Sequence, residues 1–305
     1  MSAQLTVFFP ALPAAALERR PGLVPLDRPP DDPLTAACAL FGLHDADPPL
    51  APVTYTHDFG QPPPAWCARV DPVCLMAAGA TLRLLPLDGT PLTHDQARSL
   101  FSLASESGVI PGVSWQYAAP LRWYLLADPG PDLATCAPQR LPGGHVAAGQ
   151  PRGADAPAWQ SWLNELQMHL FDSAVNRERE ARDLPPANAL WLWGGGRTPR
   201  LVPSPFDAVW THEPLIGGLT RLAGGTPEPL PADLPQWLAG LPRDGRFLLA
   251  PGADDRPWHD AAWWLAHLQA AVDDRRLQTV ELHLADARLT LNRRGLLTRL
   301  RQAWR

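Results

Sequence analysis

Three consecutive glycines and an arginine, Gly194-Gly195-Gly196-Arg197, follow directly on the apolar run Leu190-Trp191-Leu192-Trp193. A strand that ends in a glycine turn lets backbone N–H groups close around an anion, and an arginine fork matches a phosphate or carboxylate. Asn188 adds an amide, so the expected contacts of a small anionic ligand are Asn188, Gly194, Gly195, Gly196 and Arg197. The turn lacks the lysine and Ser/Thr of a P-loop, and Pro199 stands where G-x-G-x-x-G needs its third glycine. The competing reading is a structural turn, in which glycines only let the chain leave the sheet sharply.

Other chemistry is sparse. His57-Asp58, His94-Asp95 and His259-Asp260 are isolated pairs in loops or at helix starts, where capping and surface roles compete with metal ligation. No metal ligand, catalytic residue or cofactor is assigned from them. There is no lysine among the 26 basic residues, which excludes Schiff-base chemistry and a Walker lysine. Cys38, Cys67, Cys74 and Cys136 form no C-x-x-C pair and read as reduced, buried thiols. A net charge of −5 gives no general attraction to nucleic acid or anionic membrane. The N-terminus has no basic n-region, and no apolar window reaches the length of a membrane span. The expectation is a cytoplasmic protein that binds neither nucleic acid nor membrane, with its oligomeric state open.

Hydrophobic residues make up 46% of the 305, enough for a sizeable core. Residues 4–9 read as a strand, and the proline-rich 10–64 region carries one short helix near Thr35–Phe41. Two strands over 66–87, a helix capped by Thr93 and a hairpin over 113–127 make a small α+β unit. The Pro/Gly/Ala-rich stretch 128–157 reads as a linker. Beyond it, a helix from about Pro157 to Arg182 shows Trp159, Trp162, Leu163, Leu166 and Leu170 on one face. Strands and helices then alternate, ending in a hairpin over 280–294 and a short basic helix. The fold class is α/β: a largely parallel sheet with flanking helices in the second half, and the smaller α+β unit in the first. Leu190–Trp193, apolar throughout, is expected as an interior strand covered on both faces. The domain boundaries follow as 1–127, linker 128–157, and 158–305.

The run from Ser173 to Pro199 resembles a signature of the archaeal-type cofactor-independent phosphoglycerate mutases. The matching residues are Val175-Asn176, Arg179, Pro186-Ala187-Asn188 and Trp191-Leu192-Trp193-Gly194-Gly195-Gly196. In patches over 66–305 the chain resembles more closely a related proteobacterial family that includes a regulatory protein of a pathogenicity-factor cluster. Such mutases belong to the alkaline-phosphatase superfamily and use two bivalent metals and a serine nucleophile, since metals activate the nucleophile and neutralise the phosphoryl group. Here Ser173-Ala174 replaces His-Pro, Gly195 replaces a glutamine, and the first strand runs into Pro10-Ala11-Leu12-Pro13 instead of Asp-Gly-x-x-Asp. The resemblance implies a mutase-like protein without the catalytic apparatus: a regulatory or interaction protein with a protein partner. The alternative is a metal-dependent phosphoryl-transfer or phosphate-ester enzyme with an unrecognised site. Asn176 and Arg179, with Trp191 and Trp193, are expected to be structural: a helix cap, a charge at a helix C-terminus, and core packing. Joining two halves of the molecule is the alternative for Asn176 and Arg179.

Overall fold

A computed structural model describes residues 3–17, 23–25, 32–79, 81–107 and 110–293. In chain order the elements begin with β1 (Gln4–Phe9), β2 (Leu23–Pro25), α1 (Pro33–Leu40), α2 (Leu50–Phe59), β3 (Trp66–Ala78), β4 (Thr81–Leu85) and α3 (His94–Ser107). Next come β5 (Val113–Ala119), β6 (Arg122–Ala127), α4 (Ala156–Phe171), α5 (Ala174–Glu180), β7 (Ala189–Gly196) and β8 (Ala208–Thr211). The chain continues with α6 (Pro214–Leu222), β9 (Pro227–Glu228), α7 (Leu234–Gly240), β10 (Arg246–Ala250), α8 (Ala261–Asp273), β11 (Thr279–Leu284) and β12 (Arg288–Leu291). The basic helix expected after residue 294 lies outside the described residues.

The chain divides into two compact units, one of Met1–Ala46 with Arg200–Arg305 and one of Asp47–Pro199. These boundaries differ from those drawn at 127 and 157. The reason is β1, which pairs in parallel with β10 on one side and β11 on the other. An N-terminal strand central to a sheet of late strands makes a discontinuous unit that local composition cannot reveal.

In the discontinuous unit the strand order is β2-β12-β11-β1-β10-β8-β9, with β11, β1, β10, β8 and β9 parallel. Leu5, Val7 and Phe9 face one core with Leu249, Leu282, Trp264 and Leu268. Alternation along a strand sends Phe8 and Leu248, both buried, to the opposite face. The chain leaves β8 through α6 toward the outer strand β9, whereas it leaves β10 through α8 and passes β1 to reach β11. Connections from the adjacent strands β8 and β10 thus depart in opposite directions. Such a switch point opens a crevice at the carboxyl ends of the strands.

The 47–199 unit is built on an antiparallel sheet. β3 lies between β7 and β6, with Arg69 opposite both Trp193 and Tyr124. One face packs on α3 and α4 through Leu190, Leu192, Leu125, Trp159, Trp162 and Leu166. The other carries α2 through Ala51 and Tyr55, which join Cys67 and Tyr124. Leu190–Trp193 is therefore antiparallel, and among the described residues β3 is its only ladder partner. This corrects the expected interior strand of a parallel sheet. Its run is apolar at every position because both faces are covered; ladder direction leaves no mark in such a pattern. Val146, Gln150 and Pro151 pack beside the strand with Gln160 and Asn164 of α4, around a cavity of only about 80 Å³. Covering an edge in this way blocks its pairing with other chains.

The stretch 128–157 is folded, not a free linker. Ala134 and Arg152 exchange backbone hydrogen bonds of 2.7 and 2.9 Å. Asp155 accepts from the Asp132 N–H at 2.8 Å, and Asp132 from the Ala154 N–H at 3.2 Å.

Candidate functional site

The expected helix 157–182 is two helices. α4 ends at Phe171, and Ser173 caps α5 by accepting from the Asn176 N–H at 3.2 Å. A Ser that prefers to accept a helix's first N–H groups restarts the chain in a new direction. This places Asn176 and Arg179 in α5, on a buried face.

Asn176 meets the carbonyl end of α4 and the entry of β7. Its amide donates to the Leu170 carbonyl at 2.7 Å and the Ala187 carbonyl at 3.1 Å, while its oxygen accepts from the Ala187 N–H at 2.8 Å. One side chain thereby ties the end of α4 to the entry of β7. Arg179, 1% exposed, donates to the carbonyls of Pro185 at 2.8 Å and Thr90 at 2.7 Å, with Gln96 Oε1 at 3.4 Å. Gln96 itself forms a reciprocal capping box with Thr93 at the start of α3. Arg179 thus pins α5 to α3 inside one unit. Burial pushes the Arg179 guanidinium below its ordinary value.

Asn188 extends the β7–β3 ladder with its side chain, accepting from the Leu75 N–H at 2.8 Å and donating to the Leu75 carbonyl at 3.0 Å. Trp191 Nε1 donates to the Cys136 carbonyl and Trp193 Nε1 to Asp71 Oδ2, at 2.8 and 2.7 Å. Both indoles are buried, as expected.

The three glycines are filled from outside. Gly194 has φ +65°, and a Cβ there would lie 3.0 Å from the Ala51 nitrogen in α2. At Gly195 a Cβ would lie 2.6 Å from the Trp66 ring, and at Gly196 2.5 Å from Pro49 Cβ. Close packing of α2 and Trp66 accounts for all three. Arg197 is 69% exposed and lies 3.6 Å from Asp128. Asn188 and Arg197 flank opposite ends of β7, about 30 Å apart at the rise of an extended strand. The structure does not gather the expected anion contacts in one place.

Among the described residues no three His, Cys, Asp or Glu side chains form a group able to hold a metal ion. Asp58 accepts a bidentate hydrogen bond from Arg122 at 2.6 and 2.8 Å and one from Tyr124 Oη at 2.6 Å. Asp260 caps α8 through the Trp263 N–H, and a His259 ring nitrogen lies 2.9 Å from the Ala253 carbonyl. His94 opens α3 beside Asp95.

Two arrangements escaped sequence reading. At the switch point, His212 follows β8 and its Nδ1 lies 2.8 Å from Asp255 Oδ1, in the loop after β10. Asp255 Oδ2 is fixed by the Gly252 N–H at 2.6 Å. With Nδ1 held by the carboxylate, the neutral ring presents Nε2 as an acceptor. The only sequence signal is that both residues stand just past apolar strands. The second is a buried ionic chain in the 47–199 unit: Arg69 holds Asp71 at 3.0 and 2.6 Å, and Asp71 also accepts from Trp193. Burial raises the Asp71 carboxyl above its usual range, against the opposing pull of Arg69.

No protein-family model matches the chain. A 2,3-bisphosphoglycerate-independent phosphoglycerate mutase of Methanothrix thermoacetophila is 31% identical over 106 residues, or 34% of this chain and 25% of that protein. The chain thus matches a quarter of that relative's length. Among solved structures, a cofactor-independent phosphoglycerate mutase from Thermoplasma acidophilum superposes over 95% of this chain and 89% of its own, with TM-score 0.46 and 17% identity. The PH0037 protein from Pyrococcus horikoshii superposes over 95% and 87%, with TM-score 0.56 and 14% identity. Over those 106 residues the chain is distantly similar to the Methanothrix mutase, and it shares its fold with PH0037. Among the described residues no helix is long and apolar enough to cross a membrane.

Proposed function

We propose that this chain is a non-catalytic regulatory or interaction protein built on a phosphoglycerate-mutase-like frame. The observation that carries the reading is that Asn176, Arg179 and Asn188, the polar residues of the shared signature, hydrogen-bond to groups of their own unit, most of them backbone. A side chain so committed holds segments together and has little left for a substrate. The first strand supports the same reading, since Phe9 leads into Pro10-Ala11-Leu12-Pro13 where the mutases place carboxylates. The test is turnover of 3-phosphoglycerate by the purified protein with added Mn²⁺. No turnover is expected; turnover that a chelator abolishes overturns the reading.

A second reading, a phosphate-ester enzyme, is favoured by the His212–Asp255 pair alone. A carboxylate that orients an imidazole and leaves Nε2 open is the arrangement of a general base. In that reading His212→Asn removes a measurable phosphatase activity while leaving the unfolding midpoint in place.

A further inference from the structure

The edge of the parallel sheet opposite His212 carries positive charge that the fold leaves partly unused. There the Arg243 carbonyl accepts from the Ala3 N–H at 2.9 Å, and the Gln278 N–H donates to the Ala3 carbonyl at 2.8 Å. The segments that lead into β10 and β11 are thereby tied to the start of β1, and together they line a cavity of about 450 Å³. That volume lies within the range of ligand-binding clefts. Arg243, Arg275 and Arg276 line it with a single carboxylate, Asp274, and with Leu241. Three positive charges against one negative leave a formal +2, in a chain whose net charge is −5.

The three arginines are not employed alike. Arg276 Nη1 donates to the Ala239 carbonyl at 3.0 Å and to the Leu238 carbonyl at 3.5 Å, in the last turn of α7, where a cation is favoured. The guanidiniums of Arg243 and Arg275 have no hydrogen-bond or ion-pair partner among the described residues, and both residues are exposed. Arg275 also stands at φ +59°, just past the end of α8, in the left-handed conformation where glycine is the usual residue. A side chain there carries a steric cost that glycine avoids. No contact of the Arg275 guanidinium with the described residues offsets that cost. Strain kept at an exposed, unpaired cation points outward, to a partner that the cation meets.

Phosphate sites gather backbone N–H groups at helix N-termini. Here α7 and α8 both end at the cavity, so the helix ends are carbonyl ends, with Asp274 beside them. Such a setting disfavours one concentrated dianion and leaves two arginine forks on separate segments, each fitted to a carboxylate. We infer, on the footing that this is an interaction protein, that the cavity docks an acidic segment of a partner protein, one carboxylate on Arg243 and a neighbouring one on Arg275. Leu241, half-buried, offers an apolar wall to the side chain beside them.

The experiment is fluorescence anisotropy of the full chain with a fluorescein-labelled peptide, Gly-Leu-Glu-Glu-Leu-Gly, its termini blocked. A Gln-Gln counterpart removes both carboxylates, and a counterpart with one phosphoserine and one Gln supplies a phosphate instead. The variants are Arg243→Ala and Arg275→Gly, with Arg221→Ala as an exposed arginine outside the cavity lining. The Glu-Glu peptide should bind saturably and roughly tenfold or more tightly than the Gln-Gln one, as for lost charged contacts. Arg243→Ala and Arg275→Gly should each lose a similar factor, while Arg221→Ala binds as the wild type does. The unfolding midpoint of Arg275→Gly should equal or exceed the wild-type value, because glycine relieves the left-handed backbone; lost binding there is then not lost folding. Equal binding of the Gln-Gln peptide overturns the inference, as does an equal loss in Arg221→Ala or tighter binding of the phosphoserine peptide. A lowered midpoint in Arg275→Gly also overturns it, by making that arginine a structural charge at the helix end. Absence of Glu-Glu binding without turnover of 3-phosphoglycerate overturns this inference alone, whereas turnover that a chelator abolishes overturns the non-catalytic reading.

Discussion

At the carboxyl edge of the parallel sheet, His212 has its side chain 52% exposed and is gripped only through Nδ1. In the 47–199 unit, Arg179 is 1% exposed and its donors end on main-chain carbonyls and one amide. Both are polar residues placed by the fold, yet the first has Nε2 without a hydrogen bond among the described residues and the second meets four acceptors of its own unit. The contrast separates residues that hold the molecule from residues able to meet another. A shared signature does not by itself say which kind it contains; the fate of each donor does.

The comparison breaks first at Arg179. Arg179→Ala should cost on the order of 3–5 kcal/mol in denaturant unfolding, because it strands several buried acceptors and opens a cavity. A loss below about 1 kcal/mol would mean that the guanidinium is not a structural clasp. Leu192→Ala, on the face packed against α3 and α4, should cost about 2–5 kcal/mol. Gly195→Ala, with its methyl directed at Trp66, should cost about 1–3 kcal/mol through overpacking and should perturb indole fluorescence. If Gly195→Ala instead left stability intact, the glycine would have to be explained by a ligand.

In the discontinuous unit, the His283 ring, its Nε2 3.7 Å from Glu281 Oε2, holds the Glu281 carboxyl below its usual value. A carboxyl depressed by folding adds stability above its unfolded value, and that stability is lost as the pH falls through the folded one. Glu281→Gln should therefore lower stability at neutral pH by less than about 1 kcal/mol while leaving strongly acid pH almost unchanged, which flattens the acid limb of the stability profile. Smallest of all is Arg197→Ala, expected to stay within about 0.5 kcal/mol because the side chain is exposed beside Asp128.

Most single elements were legible because periodicity and caps are local. β1, the β5–β6 hairpin, the Thr93-capped α3 and the β11–β12 hairpin all follow from alternation or a helical stripe. α2 was missed: Leu50–Phe59 carries Pro52 in its first turn and lies in proline-rich sequence, although proline is tolerated there. The split of the long helix at Asp172 was hidden by an unbroken supply of helix formers, with Ser173 the one sign of it. The domain boundaries and the direction of β7 depend on which strands meet, and no short window records that. His212 and Asp255 are 43 residues apart in sequence, and only the side-by-side pairing of β8 and β10 makes them a pair.

The central claim is that the signature of the 47–199 unit holds the fold and does not bind phosphoglycerate. Thermal unfolding of the wild type at rising concentrations of 3-phosphoglycerate with Mn²⁺ tests it directly, since a ligand that binds only the folded state raises Tm by mass action. The account predicts a Tm that stays constant across the titration, while Arg179→Ala lowers it equally with and without the ligand. A concentration-dependent rise in wild-type Tm that disappears in Arg179→Ala would contradict it.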